Sequence, residues 1–267
     1  MVVVILKDHF NMNKLKKKIF IKGTIEALTG LHIGGTNNEL SIGGMDNAVI
    51  KNPVTQKPYI PGSSLKGKMR SLLEISMGTL GKKAMGNIKN PPSNDPFSLA
   101  SRIFGYAQFK VKEDPRNKDS QGKLIYENSQ QPSKVIVRDC HLKNGDMLGN
   151  RLIEEKSETV IDRITSAAMP RQMERVPAGA VFSMNIVINV FEKDNEKELV
   201  NGVLDGLNLV MDDYLGGAGS RGSGQVKIAI KKMYEKDSAY YTQPNKPTTP
   251  PSVKDGYREY LPNLFEE

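Results

Sequence analysis

Residues 196–233 join a helix, a run of glycines and a strand in an order that constrains the fold more than any other stretch. From Glu196 to Leu215 the residues Leu199, Val203, Leu207, Val210 and Tyr214 recur at helical spacing. The segment "GGAGSRGSG" follows directly, and "QVKIAIKKM" after it reads as a strand. In a dinucleotide-binding loop the glycines lead from a strand into a helix, whose positive end meets a pyrophosphate. Here the helix offers its negative C-terminal end, which argues against that mode. Glycine still lets a ligand backbone approach closely, and Arg221 supplies charge. A plain helix exit needs fewer glycines than the five present in nine residues, and the surplus favours ligand contact at Gly217, Gly219 and Arg221.

The rest of the chain supplies partners for this unit. "KIFIKGTIEAL" (18–28) alternates Phe20, Lys22, Thr24 and Glu26 against Ile19, Ile21 and Ile25, a strand pattern. A helix is expected from about Ser64 to Met77, with Leu65, Met69, Leu72 and Ser76 as its buried stripe and Gly78 as its stop. "KVIVRDCHL" (134–142) and "AVFSMNIVINVF" (180–191) read as further strands. The order strand, helix, strand, strand, helix, strand predicts an α+β, ferredoxin-like βαββαβ core. That core spans 18–237, after an N-terminal extension (1–17) and before a Pro-rich, peripheral tail (238–267). Two insertions interrupt it: a polar lid (86–133) with one short helix around "FSLASRIFG", and a charged, Pro-bounded hairpin or arm (151–179).

"YIPGSSLKGKMRSLLE" (59–74) places Gly62, Gly67 and Lys68 where a Walker A loop has them, but Met69 stands where that motif needs a magnesium-binding hydroxyl. Met69 fits the helix's buried stripe instead. Two readings remain open. One is a helix capped by Ser63 or Ser64, with solvated lysines. The other is an anion site at the helix N-terminus, which Ser64, Lys66 and Arg70 extend along one face. Lys68 points away from Arg70 and sits elsewhere.

In the Gly-rich stretch 29–58, His32 and Asp46 are the chemistry-bearing side chains of "TGLHIGG" and "IGGMDNAV". A lone His is commonly a hydrogen-bonding or stacking residue, and a lone Asp in a turn a turn residue. The functional alternative needs little machinery: RNA cleavage requires the ribose 2′-OH in line with its phosphate, and a single carboxylate can hold one magnesium ion through oxygen and water ligands. In "DRITSAAMPRQMER" the cations Arg163, Arg171 and Arg175 alternate with Met169 and Met173. An arm of this kind suits wedging between bases while gripping phosphates, and equally suits an exposed charged hairpin.

Lys plus Arg number 38 against 30 Asp plus Glu, a net charge of +8, which favours an anionic partner or simple solubility. One cysteine, Cys140, excludes internal disulfides and multi-cysteine zinc sites, and the three histidines are scattered. "MVVVIL" is too short to span a bilayer, so no membrane partner and an intracellular, reducing location are expected.

Taken in order, "TGLHIGG", "IGGMDNAVIKNP", "PYIPGSSLKGKMRSLLE", "VIDRITSAAMPRQMERVPAG" and "LGGAGSRGSGQV" resemble the backbone RAMP subunit of type III-A (Csm) CRISPR effector complexes, across most of residues 20–230. The resemblance implies an RRM-like palm with a lid and a thumb (159–179), copies of which stack into a filament on guide crRNA in the cytoplasm with other Csm subunits. It implies cleavage of single-stranded target RNA with a divalent metal, Mg2+ or Mn2+, and assigns the catalytic and metal-binding role to Asp46. His32, Ser64, Lys66, Arg70 and the "GGAGSRG" loop, with Gly217, Gly219 and Arg221, match guide-holding positions; Arg163, Met169, Arg171 and Arg175 belong to the arm that contains the thumb. Some members carry zinc ligands in the insertion after the first helix; this chain has no cysteine there, and no structural zinc is expected. The rival readings are a non-catalytic RNA-binding scaffold and a metal-independent guide-processing endoribonuclease with His32 as general base.

Overall fold

A computed structural model of the chain describes residues 14–35, 48–81, 91–95, 97–109, 129–149, 151–242 and 251–266. Its centre is one antiparallel sheet. Strand β1 (Leu15–Ala27) lies between β4 (Val226–Asp237) and β3 (Val181–Phe191), and β2 (Val135–Val137) pairs with the far side of β3. The spatial order β4-β1-β3-β2 and the chain order β1-α1-β2-β3-α2-β4 are those of the ferredoxin-like fold. Here α1 is Gly62–Ser76 and α2 is Glu196–Asp212.

Alternation decides which sheet face is covered. Ile19, Ile21, Ile25, Phe182, Ile186, Ile188, Ile228 and Ile230 all point inward and are at most 1% exposed. Leu199, Val203, Leu207 and Val210 of α2 and Leu65, Met69 and Leu73 of α1 close over them. Met69 is wholly buried beside Gly206, where a side chain would press on its stem at 3.3 Å. The α1 stripe therefore runs Leu65–Met69–Leu73. Leu72 is only partly buried and Ser76 is exposed, because the helix starts two residues earlier than its seryl residues suggest and its axis follows the i, i+4 row.

The first insertion differs from expectation and the second meets it. The short helix Leu99–Phe104 is not part of a lid: Ala100, Ser101, Ile103 and Phe104 are buried, and Ile103 reaches α2 at Gly202. Farther along 86–133 the described residues form a small hairpin, Tyr106–Phe109 with Ser129–Gln131. The stretch 151–179 contains a regular two-stranded hairpin, Glu154–Ile161 with Ala168–Arg175 in unbroken register.

The tail is not peripheral either. Residues 251–266 run along the outer edge of β4, pairing Ser252 with Tyr234 and Phe265 with Ile230. Leu264 is fully buried, Tyr257 donates to Glu196 at 3.1 Å, and Tyr260 donates to Asp205 at 3.0 Å. An open edge strand invites pairing with another chain, and this segment covers it. Deleting residues 251–267 is expected to cost about 5–9 kcal/mol from the loss of buried Tyr257, Leu264 and Phe265. Urea denaturation measures that loss, and sedimentation is expected to show new self-association. Among the described residues no helix is long and apolar enough to cross a membrane.

Candidate nucleic-acid interface

At the end of the sheet where β1 finishes and β3 and β4 begin, three separate pieces of the sequence meet. His32 follows β1. Its Nδ1 lies 2.7 Å from the carbonyl of Glu174, near the end of the hairpin, and its own carbonyl accepts from the Gly217 amide at 2.8 Å. Glu174 also accepts from the Val49 amide at 2.9 Å and pairs with Lys51. Gly35 donates to the Ala48 carbonyl at 3.0 Å, so the ends of the segment 36–47 are clasped together beside His32 and Glu174. Asp46 belongs to that segment and lies outside the described residues.

The hairpin is fastened to the glycine loop by two arginines. Arg175 donates to Glu154 at 2.6 Å and to the Ser223 hydroxyl at 3.3 Å, and Arg221 pairs with Glu158 at 2.9 Å. The hydrogen bond from Lys156, followed by the charges of Arg221, Lys156 and Arg175, holds the Glu158 carboxyl below its ordinary range. Arg175 is thus a root pin rather than a phosphate gripper, since its guanidinium is already matched by a carboxylate. Arg163, Met169 and Arg171 are exposed, as are Ile164 (95%), Val160 and Ile161. The hairpin ends in a turn closed by Asp162, which accepts from the amides of Ile164 and Thr165; those bonds hold its carboxyl below the usual range. Its outer half is an apolar tip flanked by cations, built on a rigid turn.

The glycine surplus has an internal explanation that spacing alone does not reveal. A side chain at Gly219 would fall 2.1 Å from the ring of Tyr214, and one at Gly216 would fall 2.2 Å from the His32 carbonyl. Gly216, Gly222 and Gly224 also have positive φ. These glycines are required by the loop folding on itself and against His32, so their number is not evidence of a ligand. The Gly217 amide is engaged as well.

Helix α1 departs from expectation at its start. Its N-cap is Pro61, with no side-chain cap, and Ser64 donates its amide to the Pro61 carbonyl. The Gly62 amide donates to Asp139 at 2.8 Å, so a carboxylate of the protein already occupies part of the helix end. Arg70 shares a face with Lys66, as the spacing predicts, but its guanidinium is committed. It pairs with buried Glu74 at 2.7 Å and donates to the Ser93 carbonyl at 2.7 Å. This corrects its reading as a free guide contact: the clamp fixes residues 91–95 to α1, a role that a sequence with Glu four residues after Arg can signal. Lys66 differs. Partial burial, then the nearby Arg70 charge, hold its pKa below the ordinary lysine value, and among the described residues it has no acidic partner. Lys68 turns to the glycine loop, pairing with Asp213 at 2.7 Å and lying 3.5 Å over the Tyr214 ring. The sequence carries no local signal of that link, because Asp213 and Tyr214 stand more than 140 residues from Lys68. Cys140 is buried, and burial, then Asp139, pushes its thiol up to about 12, which leaves it inert.

The model of the RAMP superfamily matches residues 24–227, from β1 to the first residues of β4 and across every element just described. The chain belongs to the RAMP superfamily. Within that superfamily its relatives are the Csm3 endoribonucleases of CRISPR systems. The one from Methanocaldococcus jannaschii is 38% identical over 231 residues, 85% of this chain and 85% of its own length. That from Streptococcus thermophilus is 38% identical over 223 residues, covering 81% and 88%. Identity at this level over this span places the chain in the Csm3 family. Among solved structures, the Csm3–Csm4 subcomplex of a type III-A CRISPR-Cas interference complex aligns over 96% of this chain and 100% of the other, with a TM-score of 0.53 and 26% identity. Methanopyrus kandleri Csm3 shares the fold, with a TM-score of 0.58 and 22% identity over 94% and 87%. The RAMP match ends before residues 251–266, so the strap along β4 is outside the matched span.

Proposed function

We propose that this Csm3-family chain binds guide crRNA as a repeating backbone subunit of a type III-A effector complex and cleaves complementary target RNA at Asp46. The observation that carries this reading is the meeting of His32, the glycine loop and the hairpin root at the two clasped ends of the segment that contains Asp46. Lys66 offers a phosphate a cation with no competing acid among the described residues, and a phosphate there favours its charged form. The exposed Met169, with Ile164 at the tip, supplies an apolar wedge, and Arg163 and Arg171 supply phosphate contacts beside it. Splaying a target nucleotide in this way aligns its ribose 2′-OH with the adjacent phosphate, and that positioning accounts for much of the rate.

A divalent cation fits the donor chemistry of an aspartate on an RNA phosphate. Among the described residues there is no group of three or more metal-ligating side chains, and Glu174 already accepts from Val49 and Lys51. Asp46 would therefore share a hard ion such as Mg2+ with phosphate oxygens and water, a ligand set that suits it. When bound, the ion supplies charge neutralisation at the scissile phosphate. Assembly with further copies and with other subunits, in the cytoplasm, belongs to the same reading.

The test is an assembled complex loaded with guide and given complementary or scrambled RNA, with Mg2+ or with EDTA. Regularly spaced cuts in the complementary RNA alone, abolished by EDTA, are expected. Cutting of guide precursor that survives EDTA and disappears in His32→Ala would replace this reading with metal-independent processing.

A further inference from the structure

The sheet face opposite the helices carries a row of cations that none of the contacts above uses. Strand register places Lys232 of β4 opposite Lys22 of β1, and Lys22 opposite Asn185 of β3; the Arg138 amide, just past β2, donates to the Asn185 carbonyl. Strands lie about 4.8 Å apart, so this row crosses roughly 14 Å of sheet. Lys22, Arg138, Lys143 and Lys232 are all exposed, and among the described residues none has an acidic partner. They line one open concavity with His141, Asn185 and Ile136.

Two features indicate that the row is built to hold something. Like charges directly opposite on a sheet repel, so Lys22 facing Lys232 costs stability that an unliganded surface has no reason to keep. A β-bulge lies at the same place: the register slips between Lys22 and Gly23, which leaves Lys231 and Lys232 both exposed while Ile230 and Met233 stay buried. Gly23 permits the bulge, since any side chain there would meet the Ala229 carbonyl at 2.1 Å. Bulges of this kind re-aim side chains. Here the bulge adds Lys231 to the lining of the concavity, where it pairs with Glu266 at 3.0 Å, and leaves Lys232 on the open face opposite Lys22.

We propose that this face is a second anion-binding surface, separate from the hairpin, glycine loop and α1, and that its occupant is single-stranded RNA. A cationic row alone fits an acidic protein as well. Among the described residues the buried side-chain oxygen of Asn185 has no hydrogen-bond partner, and it calls for a donor amid the cations. RNA supplies phosphates and hydroxyl or base N–H donors together, whereas acidic side chains supply acceptors only. Ile136, 44% exposed at the rim, gives a base an apolar contact. The surface does not depend on Asp46, so this proposal and the cleavage reading stand or fall separately.

Fluorescence anisotropy of the full chain with labelled oligouridylate, across a range of NaCl concentrations, reads the effect. K22A/K232A is expected to reduce the slope of log affinity against log salt by about 1.4, since each single-strand phosphate contact contributes about 0.7. K22R/K232R is expected to keep the slope. Because the alanines remove a repulsion, thermal melting of the double variant at or above that of the original chain is expected. Should the variant fold poorly, 4-thiouridine cross-linking of the unaltered chain decides: adducts on residues 136–143 support the proposal. An unchanged slope, adducts confined to residues 30–35, 64–70, 163–175 and 215–222, or displacement of the RNA from this face by polyglutamate at equal charge would each overturn it.

Discussion

Asp46→Ala protein, assembled with guide and given complementary RNA and Mg2+, is expected to bind both strands normally and to lose cutting by at least about 100-fold, the lower end of what one positioned acid–base or metal-holding group supplies. Around the clasped ends of the segment that contains Asp46 the described carboxylate is Glu174, which accepts from the Val49 amide and pairs with Lys51, so among the described residues no carboxylate there is free to take over. Binding is expected to be spared because the groups proposed to meet phosphates, Lys66 and the hairpin cations, belong to other elements. Single-turnover cleavage alongside guide and target affinity measures both halves. Cutting at the original rate would leave Asp46 a turn residue and make the chain a scaffold.

Arg70→Ala is expected to act on the fold more than on RNA. Glu74 is 2% exposed, and removing its partner leaves a buried carboxylate without its cation. Arg70 itself is partly exposed, so water replaces some of the loss, and about 2–3 kcal/mol is expected rather than the full cost of breaking a buried pair. For a chain of this size that lowers the melting temperature by roughly 5–10 °C. Arg70→Lys discriminates the roles. A lysine preserves charge for a phosphate, but it lacks the fork that reaches Glu74 and the Ser93 carbonyl together. Melting close to that of Arg70→Ala, with guide affinity unchanged well below the transition, is the expected result. Loss of guide affinity at full stability would return Arg70 to the RNA.

The core was legible because each of its elements carries a period. Ile19, Ile21 and Ile25 alternate, and Leu199, Val203 and Leu207 recur every fourth residue, and these patterns survive folding. The candidate site was legible in part. His32, the glycine loop and the arm were recognisable, and the structure brings their roots together. What sequence concealed were pairings between distant residues. Arg70 reads as a free cation until Ser93 folds back upon it, and Gly219 reads as room for a ligand until the Tyr214 ring fills that room. Asp139 reads as one more residue of the strand 134–142 until its oxygen meets the Gly62 amide. A side chain's chemistry is written locally, but its availability is set by whatever the chain returns to it.

That Asp139 contact also bears on which anions α1 can select. With a tethered carboxylate already on the first amide, a free phosphate or mononucleotide must compete against a ligand whose local concentration is fixed by the fold. A small ion, with one contact to gain, is disfavoured. A long strand that engages Lys66, the arm and neighbouring copies at once gains many contacts for the same displacement, or bypasses Asp139 altogether. An occupied helix end of this kind favours a long strand over a small ion.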